Sequence, residues 1–425
     1  MKNLCFCFQM HVPSRLRRYR FTEIGQDHYY YDDLQTEEFV SWMVNTSWLP
    51  LCRTVAEMIR LSKKRFRCGL ALTGTTLELL EQYAPEMVDL LKQLTESGCV
   101  EMVATPYAYS LAAAYDAEEF AAQLEMHRTK TAEMFGTSSS ALWNTELLYS
   151  DEIAALAYKL GYKTIMTEGA KHVLSWKSPD RVYNSCVGAR QKVLLRNMAL
   201  SDSLSFRFSD PSWSDYPMDA GKFIGMLCDS KDSDGVVNLW MGAEAFGIMQ
   251  NAGTGIFDFL KALPYFALER NMRFVTPSEA AKAAAEETVS VPYPMSWAGE
   301  GKDLSVFNGN DLQQEALQKL YAVVERVHLC SDKQLKENWL LLQDVNNMQY
   351  MNHIDHGRSN YESSYDAFIN YMNILADFLQ LVDEQYPTTV ENEELNSLLK
   401  TIHNQEDEIA DLQQQVKELK RRKQK

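Results

Sequence analysis

Four glutamates follow short apolar segments whose composition predicts β-strands. Glu146 lies in LWNTELLYSDE, Glu168 ends YKTIMTEG, Glu244 ends NLWMGAE, and Glu279 lies in TPSEAA. In α/β barrels the side chains that meet substrate lie at the carboxyl ends of the strands. Two carboxyl groups about 5–5.5 Å apart can cleave a glycosidic bond with retention, because one attacks the anomeric carbon and the other protonates the leaving oxygen. The pattern predicts a carboxylate site able to support that chemistry.

Two of these glutamates have a ready structural interpretation, and for Glu146 such an interpretation is weaker. Glu279 lies in the first turn of a predicted helix, where a carboxylate interacts favourably with the helix dipole. Glu168 can pair with a Lys or Arg of the barrel wall. Glu146 is preceded by Trp143 and Asn144, and an aromatic ring beside polar groups is typical of sugar-binding sites. These residues alone leave the choice between catalysis and structure open.

Metal and other nucleophile chemistry has weaker support in the sequence. His353 and His356 stand with Asp355 in MNHIDHG, but a zinc site needs three or four ligands and no third ligand is evident. We therefore interpret this segment as a polar helix end. No GxSxG elbow occurs, and no phosphate-loop Lys follows the glycine-containing loops. The sequence predicts neither a metal nor a cofactor.

The elements that position the glutamates alternate between short apolar strands and longer amphipathic helices. One helix is predicted in SDEIAALAYKLG, with Ser150 as N-cap and Gly161 after its end. Nearly continuous apolar strands separated by helices indicate an α/β fold with a parallel sheet covered by helices, here a barrel or near-barrel. The predicted strands are 4–10, 69–74, 99–105, 140–145, 162–169, 181–185, 192–197, 236–242 and 272–277.

The pattern changes after about residue 300, where helices follow one another without strands. We predict a barrel domain over 1–290, a helical region packed on it over 291–386, and a coiled coil over 387–425. A parallel two-stranded coiled coil would make a homodimer through residues 390–420. Its two seams are Leu395, Ile402, Ile409 and Val416, and Leu398, Gln405, Leu412 and Leu419.

The composition excludes several classes of function. The chain has 425 residues, of which 46% are hydrophobic, and a formal net charge of −16. Such an acidic chain repels phosphate backbones, so we expect no nucleic-acid partner. No run approaches 18 apolar residues, so we expect no membrane span. The eight cysteines are scattered without a CxxC pair, which favours reduced thiols and a cytoplasmic location.

Several motifs, taken in order, resemble the α-amylase-type branch of glycoside hydrolase family 57. They are CFCFQMHVPSRLRRYRFTEIGQDHYYYDD, NTELLY, TEGAKHVL, LSDSLSFRFS, EAFG, TGIFDFLKALP and TPSEA, and the likeness covers about residues 1–380. The resemblance implies an incomplete (β/α)7 barrel followed by a helical region. It also implies retaining chemistry on α-1,4-glucans, by hydrolysis or glucan transfer, without an obligatory metal.

The resemblance implies that Glu146 is the nucleophile. The position at which the family has its acid/base aspartate is occupied here by Gly242, so this aspartate is missing. The resemblance places substrate-binding positions on His11, Trp143, Asn144, Glu244, Phe246 and Trp297. Other motifs also depart from the family pattern, at Val12, at Thr105 and Tyr109, at Gly299, and in the triplet Val345-Asn346-Asn347. The motifs LSDSLSFRFS and TGIFDFLKALP, which we interpret as scaffold, stay intact. We therefore expect absent or strongly impaired activity.

Replacement of the missing acid by Glu244 is not favoured by the sequence. In an extended strand, residues 240, 242 and 244 share one face, and two residues span roughly 6.6 Å. The extra methylene of Glu lengthens the side chain by only about 1.5 Å, which does not make up this distance. The family also has a Glu at this position beside its aspartate. Tyr109 is a poorer candidate still, because the pKa of tyrosine, near 10, suits neutral operation badly.

Three functions remain open at this point. The chain can be a weak or altered α-glucan enzyme, including an active hydrolase or glucanotransferase with a relocated acid/base. It can be a non-catalytic glucan-binding protein. It can also be a regulatory dimer held by its C-terminal segment. A binding protein would use aromatic side chains as sugar platforms, the candidates being Trp143, Tyr107, Trp213, Trp240 and Trp297.

Overall fold

A computed structural model describes residues 2–229, 235–285, 287–353 and 359–385, with scattered positions between 395 and 412. Within these residues the strands are β1 (Asn3–Met10), β2 (Cys68–Leu72), β3 (Val100–Val103), β4 (Ala141–Trp143), β5 (Thr164–Glu168), β6 (Val182–Ser185), β7 (Gly188–Arg196), β8 (Val236–Gly242) and β9 (Arg273–Phe274).

Seven of these strands form a nearly closed parallel barrel in the order β3-β2-β1-β8-β7-β5-β4. The two ends of this row meet beyond β3, where Ala104 N donates to Ala141 O at 3.1 Å and Trp143 N donates to Ala104 O at 2.9 Å. The contact between β7 and β8 is short, with Arg196 opposite Asn238. Apart from the exposed start of β7, these strands are largely buried on both faces, as a parallel sheet covered by helices requires. The predicted barrel is confirmed.

Strand β6 differs from the predicted alternation of strands and helices. It pairs antiparallel with β7, and β9 pairs with β1 outside the main row. Only residues 186–187 join β6 to β7, and Gly188 takes a φ of 94° there. A connection this short can make a hairpin but cannot make the crossover that a parallel pair needs.

Helices surround the barrel and continue after it. Their bounds are α1 (Asp33–Met43), α2 (Leu49–Leu61), α3 (Gly74–Tyr83), α4 (Pro85–Glu96), α5 (Ala112–Tyr115), α6 (Ala117–Phe135), α7 (Asp151–Lys159), α8 (Lys171–Leu174), α9 (Met198–Asp202), α10 (Ala220–Asp229), α11 (Ile256–Glu269), α12 (Pro277–Ala280), α13 (Ser305–Asn308), α14 (Asp311–Tyr321), α15 (Val324–Leu329), α16 (Lys333–Leu342), α17 (Val345–Tyr350) and α18 (Ser364–Gln385).

The helical region shares its hydrophobic core with the loop that follows β1. Leu16, Tyr19 and Tyr30 pack into one cluster with residues of α14 to α18. The fully buried carboxylate of Asp377 on α18 fixes this loop, because it accepts hydrogen bonds from Tyr30 Oη (2.6 Å), Gly25 N (2.6 Å) and His28 Nδ1 (2.9 Å). The region is therefore packed directly on the barrel domain.

The predicted coiled coil, 387–425, lies outside the described residues except at scattered positions. The described seam residues are helical and exposed in the single chain; they are Leu395, Leu398, Ile402, Ile409 and Leu412. Across the described part of the chain, no helix combines the length and apolar character needed to cross a bilayer.

Candidate active site

A cavity of about 390 Å³ opens at the carboxyl ends of the barrel strands and reaches the helical region. Its walls include Glu146, Glu244, His11, Tyr109 and Trp297. Its size falls in the range of small-molecule sites. The structure thus brings together four of the predicted site residues with Tyr109, which the sequence marked as a departure from the family pattern and as a poor acid.

Glu146 follows β4 on a tight 3₁₀ turn, Thr145–Leu147. Asn144 caps this turn, since its side chain accepts from Thr145 N at 2.9 Å and donates to Leu148 O at 3.0 Å. Glu146 and Leu147 both have left-handed backbones, with φ of 52° and 54°. Each such residue costs about 1–3 kcal/mol, and strain of this kind concentrates at functional sites. The turn directs the carboxylate of Glu146 into the cavity.

Both carboxylate oxygens of Glu146 accept a hydrogen bond. Tyr109 Oη donates to Oε1 at 2.6 Å, and Trp297 Nε1 donates to Oε2 at 2.6 Å. Trp297 is held in place because its backbone N donates to Glu146 O at 3.0 Å and because Met295 pairs with Tyr149. The side chain of Glu146 is therefore fixed at one end of the cavity wall.

The groups around Glu146 shift its pKa in opposite directions. Burial raises the pKa of Glu146 above its ordinary value, while the hydrogen bonds from Tyr109 and Trp297 lower it. The charge of Glu244 adds to the rise, and His11 opposes it. Burial and the charge of Glu146 raise the pKa of Tyr109, so this phenol stays protonated and donates. The two donors thus favour the ionised carboxylate that a nucleophile requires.

His11 connects the barrel to the helical region. Its ring stacks on Tyr109 with centroids 4.2 Å apart. Its Nδ1 lies 2.9 Å from Thr73 Oγ1, and its Nε2 lies 2.9 Å from Asp344 Oδ2. Asp344 was not predicted from the sequence, although it directly precedes the Val345 triplet that departs from the family pattern. The ring of His11 therefore holds Tyr109 and, through it, Glu146.

Glu244 does not continue the strand that carries Gly242. Strand β8 ends at Gly242, and Ala243–Ala245 form a 3₁₀ turn. This turn folds the carboxylate back, so that a β-carbon at position 242 would lie 2.5 Å from Cδ and Oε2 of Glu244. The expectation that residues 240, 242 and 244 share one extended face is wrong, because the strand geometry stops two residues earlier.

A second cavity of about 300 Å³ lies on the Gly242 side. Its lining includes Arg196 and Lys302 as well as Gly242. The two cavities share wall residues, namely Phe206, Glu244, Met249, Trp297, Ala298 and Gly299. Together they form one cleft with Glu244 at the junction.

Glu168 and Glu279 have the structural roles that the sequence offered as alternatives. The buried Glu168 Oε2 accepts from Arg196 Nη1 at 2.8 Å. Burial raises the pKa of Glu168, and the charge of Arg196 opposes the rise. Glu279 forms a capping box with Thr276 and pairs with Arg67 Nε at 2.8 Å, away from the cleft. Neither carboxylate lines the two cavities.

Three of the predicted substrate-binding residues support the site without facing it. Trp143 has no exposed surface and meets the ring of Trp297 edge-on at 5.2 Å. Asn144 is fully buried in the cap of the Glu146 turn. Phe246 is also fully buried and packs edge-on against Phe8 at 5.5 Å. A side chain without exposed surface cannot contact a sugar, so these expectations of direct contact are corrected.

The other proposed sugar platforms also lie elsewhere. Trp240 is fully buried, Tyr107 donates to Glu78 at 2.6 Å, and Trp213 packs partly against the barrel core. Trp297 is the one of the five that lines the cleft. Phe206 was not predicted as a site residue, yet it is 61% exposed at the junction of the cavities. It lies in LSDSLSFRFS, which was interpreted as scaffold.

The described residues contain no group of three or more His, Cys, Asp and Glu side chains able to hold a metal ion. His353 lines the first cavity, whereas Asp355 and His356 lie outside the described residues.

The chain matches the model of glycosyl hydrolase family 57 over residues 5–293. A curated relative from Methanocaldococcus jannaschii, named "Putative alpha-amylase", is 32% identical over 406 residues, which cover 90% of this chain and 85% of the relative.

Solved structures of low identity share the fold. A GH57 branching enzyme from Thermococcus kodakaraensis superposes with a TM-score of 0.68 at 13% identity, covering 92% of this chain and 93% of that one. The α-amylase AmyC from Thermotoga maritima superposes with a TM-score of 0.58 at 13% identity, covering 93% and 96%. With the family match over most of its length, the chain belongs to glycosyl hydrolase family 57.

Proposed function

We propose that this protein acts on α-1,4-glucans by a retaining mechanism in which Glu146 is the nucleophile. The single observation that carries the proposal is the carboxylate of Glu146, whose two oxygens accept from Tyr109 and Trp297 at 2.6 Å each in the wall of the cleft. A carboxylate fixed in this way needs no reorganisation before it attacks an anomeric carbon.

The substrate class rests on the relatives and on the cleft. The curated relative carries the name of an α-amylase, and the structural neighbours include a branching enzyme and an α-amylase. Aromatic and acidic side chains suit a carbohydrate, because rings stack on sugar faces while carboxylates accept from hydroxyl groups. In this cleft Trp297, Phe206 and Tyr109 supply rings beside Glu146 and Glu244.

Gly242 favours a second candidate, a glucan-binding protein with little or no turnover. A general acid contributes about 10²–10⁴ in rate, and glycine cannot donate a side-chain proton. If no other group donates this proton, we expect activity to be absent or strongly impaired. Retention on a glycogen-containing native gel without release of reducing sugar would favour the binding protein.

The role of Glu146 can be tested with an activated substrate. Fluoride leaves without protonation, so α-maltosyl fluoride should form a glycosyl–enzyme even where the acid is weak. We expect fluoride release by the wild type, a glycosyl adduct on the peptide carrying Glu146 by mass spectrometry, and loss of both in Glu146→Gln. Glu279→Gln is the matched control, because Glu279 is a half-buried carboxylate in a capping box outside the cleft, and this variant should keep both.

A wild type that releases no fluoride, or an adduct on another residue, would contradict this assignment.

For the rest of the molecule we propose the domain limits 1–290, 291–386 and 387–425, a homodimer through 390–420, and a cytoplasmic location. The scattered, unpaired cysteines support the location, the seven-residue apolar repeat supports the homodimer, and the change of pattern after about residue 300 supports the domain limits.

A further inference from the structure

The carboxylate of Glu244 occupies the space that a side chain at position 242 would fill. A β-carbon there would lie 2.5 Å from Cδ and Oε2 of Glu244, and closer still to Oε1. Within an aspartate, the β-carbon and the carboxylate oxygens are about 2.4 Å apart, by bond lengths close to those of the backbone. The oxygens of Glu244 therefore lie about as far from that β-carbon as those of an aspartate at 242 would.

The backbone of Glu244 is held in this arrangement from several sides. Ser47 Oγ donates to Ala243 O at 2.8 Å, and Met249 N donates to Glu244 O at 2.9 Å. Gly247 takes a φ of 107° at the end of the turn, where a β-carbon would fall on the carbonyl oxygen of Thr46. Contacts with the segment before α2 thus fix the 3₁₀ turn that returns the carboxylate to Gly242.

Glu244 also lies at the junction of the two cavities that form the cleft. Glu146 lines the first cavity, Gly242 lines the second, and Glu244 lines both. A glucan chain that occupies the whole cleft must cross this junction. The charge of Glu244 acts on both Glu146 and Tyr109, so the two carboxyl groups are close enough to influence each other. Both carboxylates line the first cavity, as an acid and a nucleophile acting on one scissile bond must.

We propose that Glu244 is the acid/base of this protein and takes the place of the aspartate that Gly242 lacks. The assignment rests on the proposed function and deepens it. In the first step, Glu146 forms a bond to the anomeric carbon while the bond to the leaving oxygen breaks. The carboxyl of Glu244 donates its proton to that oxygen. In the second step, Glu244 takes a proton from water, whose oxygen bonds to the anomeric carbon and releases the carboxylate of Glu146.

Two variants test this assignment from different directions. Glu244→Gln removes the proton donor and keeps the size of the side chain. Gly242→Ala leaves Glu244 intact, but its methyl group would lie on the carboxylate, which is the flexible end of a side chain and can swing away. If Gly242 were only a lost acid, a methyl group there would change little. Glu279→Gln is again the control with a carboxylate outside the cleft.

The assay compares maltooligosaccharides with α-maltosyl fluoride. We expect both variants to lose about 10²–10⁴ in kcat/KM on maltooligosaccharides, the contribution of a general acid. The fluoride burst should change little, because fluoride needs no proton. Added azide should restore turnover of the fluoride in Glu244→Gln and give a glycosyl azide of retained configuration, because azide attacks without a general base. Glu279→Gln should behave as the wild type in every respect.

The possible failures are distinct from one another. No turnover of maltooligosaccharides by the wild type, or full turnover by Glu244→Gln, overturns the role of Glu244 while the fluoride burst still supports Glu146. Equal losses on both substrates without azide rescue overturn it too, because they indicate that Glu244 only orients the site. No fluoride burst in the wild type overturns the proposed function itself.

Discussion

The hydrogen bond from Tyr109 to Glu146 makes a quantitative prediction about the nucleophile. Tyr109→Phe removes the phenolic oxygen that donates to Glu146 Oε1 at 2.6 Å and leaves the ring that stacks on His11. Burial already raises the pKa of Glu146. Two hydrogen bonds oppose this rise, and the one from Tyr109 has the larger effect. Its removal should therefore raise this pKa further.

The size of the effect follows from the strength of the bond. A hydrogen bond to a charged group contributes about 1.5–3 kcal/mol. One pKa unit corresponds to about 1.36 kcal/mol, so the pKa of Glu146 should rise by about 1 to 2. Because Glu146 must be ionised to attack, the acidic limb of the pH profile should move to higher pH by the same amount.

The assay is kcat/KM for α-maltosyl fluoride as a function of pH, since this quantity reports groups of the free enzyme and the leaving fluoride needs no acid. Tyr107→Phe is the matched control, because Tyr107 donates to the carboxylate of Glu78 at the same 2.6 Å outside the cleft. An acidic limb that coincides in Tyr109→Phe and wild type would refute the reasoning. A similar shift in Tyr107→Phe would show that the effect is not local.

Two further predictions concern the rest of the molecule. Removing residues 388–425 should halve the mass measured by light scattering and leave the fluoride burst unchanged; an unchanged mass would exclude the dimer. Burial favours the protonated form of Asp377, but hydrogen bonds from His28 and Tyr30 outweigh it and lower the pKa. Asp377→Asn should therefore cost about 3 kcal/mol of unfolding free energy in urea at neutral pH. A carboxyl with a lowered pKa contributes stability above its unfolded pKa and loses it as the pH falls through the folded pKa. The deficit of Asp377→Asn should shrink on acidification, and a pH-independent deficit would contradict this account.

Local patterns in the chain were sufficient to predict the barrel. Apolar strands that alternate with capped helices can be recognised within windows of ten to twenty residues, and only the β6–β7 hairpin broke the expected alternation. The same windows placed Glu146 after β4, since a strand end and a helix cap are both local features. They could not separate a catalytic carboxylate from an ion-paired one. The partner Arg196 of Glu168 lies 28 residues away.

The types of the residues next to Glu146 and Glu244 in the sequence did not predict which side chains face the cleft. Trp143 and Phe246 lie beside Glu146 and Glu244 in the sequence, yet both are fully buried. The strand alternation and the turns after each strand direct neighbouring residues to opposite sides. Phe206 reaches the cleft from a segment that reads as scaffold.

The sequence by itself determined the α/β-barrel fold class, the negative net charge of the chain, the glycine at position 242 and the candidate nucleophile Glu146. Only the tertiary structure decided that Asp344 and His11 support Tyr109, and that Glu244 returns to the space over Gly242. The physical reason is the separation in sequence between the residues that interact. Strands and caps follow from neighbouring residues, whereas the turn at Glu244 depends on contacts with Ser47 and Thr46, about 200 positions earlier in the chain.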